Sequence, residues 1–432
     1  MNNNDIYASL DIGTSSVKVI IAEVANNNLN IIGAVNVHSE GLKKGVIVDI
    51  DKTVHSIRKA IDQAERMVNM PIENVIVGLN GSHVSMIKAH GVVAVSSQGN
   101  EIDDTDIERV IDAASVISLG PDRAIIDIIP SQFIVDGVGE IKDPRGLVGT
   151  RLEMYGTIVT CSKTVYQNLA KCISRAGLNI AATILQPMAS GNYILSEDEK
   201  EFGVALVDIG GGSTTVTVFK EGVIVGSTII PLGGENLTND ISYCFKTSKE
   251  EAEKIKLEYG CAFYNYASED IIFTLPKIGN NEQVSHTQLE LADVMEARLE
   301  EIFELIAMEI AKMGVKDLPG GFVLTGGVAA TPNILELVKD MFDSNIRIFV
   351  PSFIGTRDPA YTCSIGIITF AYKNAKLTGV PLSPIVSSTY RQVVNETKEK
   401  KLIQKNTNQK NKAKKDPEEK GTFKKFLGYF FE

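Results

Sequence analysis

Two Asp-Ile-Gly turns contain the residues of this chain that are best suited to chemistry on phosphate groups. The first is Asp11-Ile12-Gly13-Thr14, and the second is Asp208-Ile209-Gly210-Gly211. Each follows a run of β-branched and apolar residues that predicts a strand, so each aspartate stands at a strand end. The glycine lets the backbone turn tightly and approach a phosphate.

In the first turn, polar donors follow the aspartate. Thr14, Ser15 and Ser16 offer hydroxyl and amide groups. Lys18 lies where a cation could reach phosphate oxygens, and Asp11 could hold water on Mg²⁺, the usual metal that bridges nucleotide phosphates. Taken alone, this turn is explained equally well as a surface hairpin.

The second turn repeats these residue types with three glycines, and this repetition argues against the surface-hairpin interpretation. Two such hairpins that face each other can clamp one triphosphate from both sides and supply the positioning and electrostatics of phosphoryl chemistry. Asp208 would then hold Mg²⁺ through water, as Asp11 would. The further candidate phosphate contacts in this turn are Gly210, Gly211, Gly212, Ser213 and Thr214.

A third glycine motif follows a strand-like segment late in the chain. Gly326, Gly327 and Val328 stand where a strand meets a helix, and glycines there allow close approach of a base or a ribose. We expect Thr331 to cap the following helix, with Pro332 at its first turn and residues 334–342 as the helix. For this motif alone, an ordinary helix entry is the simpler interpretation.

The elements that must position these turns alternate between strands and helices. Around each Asp-Ile-Gly turn the pattern is strand, turn, strand, polar turn, strand, which suggests two similar α/β domains built on one duplicated plan. Between Ser85 and Thr160, strand-like pieces surround one helix, which predicts a small inserted α+β domain. The helices predicted from periodicity span 51–70, 105–118, 163–176, 248–260 and 287–313.

The net charge of −11 conceals an asymmetry along the 432 residues. From Arg391 onward, twelve Lys and Arg residues oppose six Asp and Glu residues, so the rest of the chain carries −17. A basic tail favours an anionic surface. The acidic body would repel phosphate backbones, which argues against nucleic acid as a partner.

The cysteine pattern, the N-terminus and the length of the apolar runs all indicate the same cellular compartment. The five cysteines are scattered and form no C-x-x-C pair, as is typical of thiols in a reducing compartment. The N-terminus lacks a signal pattern, and no apolar run approaches the ~18 residues that would cross a bilayer. We therefore expect a protein that is made and kept in the cytosol.

The C-terminal end combines a polar segment with an aromatic stripe. Residues 386–420 are predicted to be a disordered linker, because the Lys/Asn/Glu-rich stretch cannot offset its ordering entropy by burial. Residues 421–432 then show the spacing of an amphipathic helix, which could lie on anionic lipid or dock onto the protein's own body. The candidate membrane contacts are Phe423, Lys424, Lys425, Phe426, Leu427, Phe430 and Phe431.

These motifs, in this order, resemble the actin and heat-shock-chaperone ATPase superfamily and, within it, the FtsA family of bacterial cell-division proteins. The resemblance covers roughly residues 5 to 375 plus the terminal helix. It implies an actin-like, ribonuclease-H-like two-domain ATPase fold with a small inserted α+β subdomain. The segments that carry it are 7–18, 207–215, 231–241 and 324–329.

The resemblance also implies a division into subdomains. The first core subdomain would comprise 1–84 and 163–200, with the inserted subdomain at 85–162. The second core subdomain would comprise 201–246 and 318–385, with a second small subdomain at 247–317. The linker 386–420 and the membrane-targeting helix 421–432 would complete the chain.

Further site residues follow from the family pattern. Gln186 matches a water-orienting position, although it could equally cap a helix before Pro187; an amide is a poor base, so hydrolysis should be slow. Glu251 and Lys254 match the adenosine-side helix, although Ser248 and Glu251 also have the spacing of a capping box. The turn near the phosphates would include Gly233, Gly234 and Asn236.

Partner contacts are implied in the same way. Arg298 and Glu301 lie on a long predicted helix similar to the surface that receives the C-terminal tail of the tubulin-like protein FtsZ. An ordinary solvated charge on a helix face is the alternative for Arg298. The family pattern further implies a homopolymer, contact with anionic lipid, and recruitment of later division proteins by the inserted subdomain.

The function implied is that of an ATP- and Mg²⁺-binding protein, at most a slow ATPase. It would polymerise and tether FtsZ filaments to the inner face of the cytoplasmic membrane at the division septum. Two alternatives share the fold. One is a PilM-like pilus-assembly scaffold; the other is a sugar or carboxylate kinase, for which no catalytic aspartate stands out.

Overall fold

The computed structural model describes residues 5–25, 28–81, 84–276 and 283–386. The strands are β1 Asp5–Ile12, β2 Ser16–Ala25, β3 Asn28–His38, β4 Leu42–Lys43, β5 Val46–Ile47, β6 Asn74–Leu79, β7 Val84–Ala94, β8 Arg123–Val135, β9 Val138–Ile141, β10 Arg151–Ser162, β11 Asn179–Leu185, β12 Val204–Ile209, β13 Thr214–Lys220, β14 Val223–Ile230, β15 Ile272–Pro276, β16 Gln283–Thr287, β17 Phe322–Thr325 and β18 Ile346–Ile348. The helices are α1 Ile50–Val68, α2 Asp104–Ala114, α3 Lys163–Arg175, α4 Gln186–Ile194, α5 Glu197–Phe202, α6 Gly234–Cys244, α7 Lys249–Tyr259, α8 Gln288–Lys312, α9 Ile334–Met341 and α10 Thr362–Thr378.

The first five-stranded sheet has the order β11-β6-β1-β2-β3. Its central strand β1 pairs antiparallel with β2 and parallel with β6. Most of β1 is buried, as expected for an apolar strand in the middle of an α/β sheet. The strand carries Asp11 to its carboxyl end, where the register places it opposite Lys18.

The second five-stranded sheet repeats this plan with the order β14-β13-β12-β17-β18. Here β12 pairs antiparallel with β13 and parallel with β17. Asp208 lies at the carboxyl end of β12, in register with Thr215 on one side and Thr325 on the other. Two sheets with one order and one polarity confirm the prediction of a duplicated α/β plan.

The inserted subdomain is an antiparallel sheet of order β7-β10-β8-β9, with α2 packed against it. The helix ends at Ala114, earlier than the predicted 118. The Ser115 hydroxyl donates to the Asp112 carbonyl oxygen at 2.6 Å, and this local bond accompanies the end of the helix. The α+β composition of the insertion is confirmed.

A second correction concerns the glycine motif after β17. A 3₁₀ turn spans Gly327–Ala330, and α9 begins at Ile334, as predicted. The residue that precedes α9 is Asn333, in the left-handed conformation at a φ of 64°. Thr331 and Pro332 therefore precede the helix start and do not form its cap and first turn.

The chain divides into two units, Met1–Ile385 and Val386–Glu432, and of the second unit only Val386 is described. The predicted linker beyond 386 and the amphipathic helix 421–432 lie outside the described residues. The exact subdomain boundaries remain predictions.

Candidate functional site

The two Asp-Ile-Gly turns face each other at close range. A Cβ atom built on Gly211 would lie 1.8 Å from the Ser15 Oγ, and one on Gly212 would lie 2.6 Å from the Thr14 Cγ2. Only glycine is compatible with such an approach. The first turn thus supplies side chains, and the second turn supplies bare backbone that accommodates them.

Asp11 is buried, with 7% of its surface exposed, and it is held by two helices. The Gln186 Nε2 donates to Asp11 Oδ1 at 2.7 Å, and the Ser364 Oγ donates to Asp11 Oδ2 at 2.9 Å. Gln186 opens α4, and Ser364 lies in the first turn of α10. These contacts orient the Asp11 carboxylate before any ligand arrives.

Asp208 has a different environment. Burial and the nearby Asp11 charge raise the pKa of Asp208 to about 6, against the opposing effect of Lys18. Gly326 has a φ of 89°, and a Cβ there would lie 2.3 Å from the Asp208 Oδ1. The third glycine motif therefore borders the second carboxylate.

The two carboxylates and the adjoining hydroxyl groups fit a hydrated Mg²⁺ ion. Each carboxylate is oxygen-only, as Mg²⁺ prefers, and the mutual repulsion that raises the pKa of Asp208 would be relieved by a cation. Lys18 supplies one positive charge beside them, and its Nζ donates to the Ser16 Oγ at 2.8 Å. Asp11 and Asp208 would bind the ion through water.

The second turn rests on the N-terminus of α6. The Gly234 and Glu235 amides donate to the carbonyl oxygens of Gly210 and Gly211 at 2.9 and 2.8 Å. The Glu235 Oε1 also accepts from the Ser15 Oγ at 2.7 Å, so this residue bridges the two turns. The contacts fix the second turn against a helix end.

Neighbouring residues complete the support of this turn. The Gly233 amide donates to the Asn236 Oδ1 at 3.1 Å, which joins the helix start to its own first turn. The buried Thr214 donates through Oγ1 to the Leu232 carbonyl at 2.9 Å. Gly210 donates to the Ser213 carbonyl at 3.0 Å and closes the turn itself.

The helix α7 presents a lysine that the sequence interpretation missed. Lys256 Nζ donates to the Gly234 carbonyl at 3.1 Å and to the Thr238 Oγ1 at 2.8 Å, and it pairs with Glu253 at 2.6 Å. Lys254 is exposed instead. The missed signal is helical phase, because Lys256 lies four residues after the buried Ala252.

The remaining residues predicted to contact the nucleotide lie near α6 and α7. Val328 is buried, and its Cγ2 would lie 3.1 Å from a Cβ on Gly234. Gly327 opens the 3₁₀ turn beside it. The Glu251 amide donates to the Ser248 Oγ at 3.2 Å, which is the capping contact that the spacing predicts.

Arg298 on α8 is already engaged by carboxylates of its own chain. Its Nε and Nη2 donate to the two carboxylate oxygens of Asp240 at 2.5 and 3.0 Å, and its Nη1 pairs with Glu301. Its side chain is 25% exposed, so an incoming acidic group could reach it only in competition with Asp240. The structure thus brings Arg298 and Glu301 together as one cluster.

Two features are absent from the described residues. No helix among them is both long and apolar enough to cross a bilayer. In the part of the chain that the structure describes, no cluster of three or more His, Cys, Asp or Glu side chains could hold a metal ion directly.

Comparison with known protein families gives two matches. Residues 205–366 match the model described as "Cell division protein FtsA". Residues 81–160 match the model described as "SHS2 domain inserted in FTSA", which covers most of the inserted subdomain.

Curated relatives carry the same description over most of the chain. "Cell division protein FtsA" of Bacillus subtilis strain 168 is 54% identical over 379 residues, which cover 88% of this chain and 86% of the relative. The Escherichia coli K12 protein of that description is 32% identical over 388 residues, covering 87% and 92%.

Solved structures identify the fold. A chain of the "PilM-PilN type IV pilus biogenesis complex" aligns with a TM-score of 0.57 at 14% identity, covering 84% of this chain and 98% of that one. MreB5 of Spiroplasma citri bound to ADP aligns with a TM-score of 0.53 at 15% identity, covering 87% and 99%. These identities show an actin-like fold and nothing further.

Proposed function

This chain belongs to the FtsA family of cell division proteins, and we propose that it is an ATP-binding, polymerising adaptor that tethers FtsZ filaments to the cytoplasmic membrane. ATP occupancy, and not rapid turnover, would set its assembly state. The protein would act at the inner face of the membrane at the division septum and would recruit later division proteins through the inserted subdomain.

The observation that carries the nucleotide part is the pair of facing turns. Thr14 and Ser15 on one side fit against the bare backbone of Gly211 and Gly212 on the other. A triphosphate clamped there would receive donors from both cores, because each core contributes one turn. MreB5 of Spiroplasma citri, which shares the fold, was solved bound to ADP, which supports nucleotide binding by this chain.

Within this site each residue has a distinct role. Asp11 and Asp208 would hold the hydrated Mg²⁺, which when bound neutralises phosphate charge. Lys18 would contact phosphate oxygens, and Gln186 would orient a water molecule while it holds Asp11. The amide of Gln186 is a weak base, so hydrolysis would be slow.

The adenosine side would be formed by the α6–α7 pair and the late glycine motif. The predicted contacts there are Glu251, Lys254 and the segment Gly326-Gly327-Val328. We add Lys256 as the residue that fixes the start of α6 under the second turn.

The FtsZ contact is proposed at the cluster of Arg298, Glu301 and Asp240. An acidic peptide would replace Asp240 as the bidentate partner of the Arg298 guanidinium. Such an exchange conserves the ion pair, so the peptide would gain most of its affinity from apolar contacts beside it.

The membrane contact is proposed at the aromatic stripe of residues 421–432. A helix this short binds a bilayer weakly as a single copy. A homopolymer would present many tails at once, and their combined avidity would exceed that of one tail by orders of magnitude. ATP-dependent assembly would therefore control membrane attachment.

Imaging in bacterial cells tests the whole proposal. A fluorescent fusion of the full chain should form a band at midcell that disappears when FtsZ is depleted. The matched control is the fusion that lacks residues 422–432, which should remain diffuse. A uniform cytosolic signal from the full-length fusion would contradict the proposed function.

A further inference from the structure

Helix α10 runs from the candidate phosphate site to the inserted subdomain. Its 17 residues make it about 25 Å long at 1.5 Å per residue. Most of its apolar side chains lie in the core of the first sheet, whereas Leu377 packs against the core of the insertion. One rigid element therefore contacts both places.

At its first turn, α10 shares Asp11 with α4. Each oxygen of the Asp11 carboxylate accepts a hydrogen bond from a different helix, from Gln186 on α4 and from Ser364 on α10. A Cβ on Gly366 would lie 2.8 Å from the Ala189 carbonyl, so the two helices pack backbone against backbone. A cation that interacts with either carboxylate oxygen would weaken the hydrogen bond between that oxygen and the corresponding helix.

At its last turn, α10 is held by an arginine of the inserted subdomain. The Arg145 Nη2 donates to the carbonyl oxygens of Lys376 and Leu377 at 3.1 and 2.8 Å. Its Nε donates to Asp104 at 2.5 Å and its Nη1 to Asp143 at 2.8 Å. The guanidinium thereby joins the helix end to two carboxylates of the insertion, and a cation is well placed at a helix C-terminus.

A second contact supports the same end of the helix. Asp127 on β8 is hydrogen-bonded to the Asn374 side chain, two and three residues before the Arg145 contacts at Lys376 and Leu377. Three contacts therefore fix the last turn of α10 to the insertion. They are the Arg145 guanidinium, the hydrogen bond between Asp127 and Asn374, and the packing of Leu377.

We propose that α10 couples the nucleotide site to the inserted subdomain, with Asp11 and Ser364 at one end and Arg145 at the other. The proposal rests on the proposed function, because it takes MgATP as the ligand of Asp11. Coupling free energies are reciprocal. Loss of the Arg145 contact should weaken MgATP binding, and MgATP should in turn change the protection of the Arg145 contact.

The first test measures MgATP affinity by titration calorimetry on the full chain. Arg145→Ala should raise the Kd at least about twofold, the lower end of the range for residues that carry coupling. The matched control is Arg109→Ala. Arg109 lies in the same subdomain and donates to Ala94, Ser96 and Asp106, none of them on α10. Equal Kd values for the two variants would overturn the proposal.

The second test follows amide hydrogen exchange in peptides that cover 143–147 and 376–381. In the wild-type chain, MgATP should slow exchange there, and Ser364→Ala should abolish this response at saturating MgATP. Thr369→Val is the control, since the Thr369 hydroxyl donates to the Ile365 carbonyl within α10 itself. A response confined to the phosphate turns would overturn the coupling.

The two levels of failure are distinguishable. If the wild-type chain binds no MgATP, the proposed function fails and the coupling is judged on the ligand-free protein. Ser364→Ala should then still speed exchange at 376–381 relative to Thr369→Val. Unchanged exchange would overturn the coupling as well. If Arg145→Ala fails to fold, Arg145→Lys replaces it. Lysine keeps the positive charge but cannot make the several hydrogen bonds of the planar guanidinium.

Discussion

The two Asp-Ile-Gly turns share one backbone arrangement, but their aspartate side chains are held in different ways. Asp11 is buried and receives an amide and a hydroxyl from two helices, α4 and α10. Asp208 stands beside Gly326, with its pKa raised to about 6. The comparison indicates that the repeated plan holds one carboxylate, Asp11, by hydrogen bonds from two helices and leaves the other, Asp208, beside a glycine, where a cation would stabilise its charge.

The turns differ in their side chains in a complementary way. Thr14 and Ser15 project from the first turn, and Gly211 and Gly212 leave space for them in the second. The difference is therefore steric as well as electrostatic. Substitutions that exchange or remove these features should affect MgATP binding unequally.

The largest effect is expected from Gly211→Ala. Its Cβ would lie 1.8 Å from the Ser15 Oγ, so the turns must separate, and displacements of about 1 Å at catalytic sites cost on the order of 100-fold in rate. We expect MgATP affinity, measured by calorimetry, to fall by a comparable factor.

A compensating change makes this prediction specific. Ser15→Gly removes the opposing side chain, so the double variant with Gly211→Ala should recover to within about tenfold of wild type. Gly139→Ala is the control, because its Cβ would meet its nearest neighbour at an ordinary 3.7 Å. A double variant as weak as the single one would show that the steric account is wrong.

A smaller effect is expected from Gln186→Ala. The side chain holds Asp11 at 2.7 Å, and if it also orients water, single-turnover phosphate release should slow at least about tenfold. MgATP affinity should change less than about threefold, because Ser364 still holds the other Asp11 oxygen. An unchanged release rate would remove Gln186 from the hydrolytic role.

The raised pKa of Asp208 predicts that MgATP binding depends on pH. Protonation of Asp208 removes the charge that Mg²⁺ needs, so with a pKa of about 6 the affinity should weaken about fourfold from pH 7.5 to 5.5. Asp208→Asn should lack this pH dependence while binding more weakly throughout. A wild-type Kd that is flat over this range would contradict the assignment.

The same shift has a consequence for stability. The folded chain retains the Asp208 proton more tightly than the unfolded chain, so the free energy of unfolding should decline as pH rises from 3.8 to about 6. Asp208→Asn should remove that part of the pH dependence in thermal unfolding.

The smallest effect concerns the support of the second turn. Lys256→Met removes the hydrogen bonds to Gly234 and Thr238 and the pair with Glu253, which should lower the unfolding free energy by about 1–3 kcal/mol. MgATP affinity should fall only about threefold. Lys312→Met is the control, since its exposed pair with Glu309 contributes less than about 1 kcal/mol. Equal melting temperatures would contradict this role of Lys256.

Much of this architecture could be predicted because the determining signals are local. Strand patterns that end in Asp11 and Asp208 predict the two sheets, and the texture of 85–160 predicts the insertion. The phase of α7 could also have distinguished Lys256 from Lys254, because Ala252 and Ile255 mark its buried face.

Other features depend on distant pairings that no local pattern encodes. Ser364 meets Asp11 from the far end of the chain, and Arg298 meets Asp240 across two helices. Thr331 has the residue type of a cap, but the left-handed Asn333 precedes α9, so the predicted cap is wrong although the helix begins at Ile334 as predicted. Tertiary contacts decided these points against local preference.

The most direct test of the central claim is co-sedimentation of the full chain with anionic liposomes, with and without MgATP. The account predicts that MgATP increases the sedimented fraction, and that the variant lacking residues 422–432 stays in the supernatant under both conditions. A truncated chain that co-sediments as fully as the intact one, or an intact chain that is indifferent to MgATP, would contradict it.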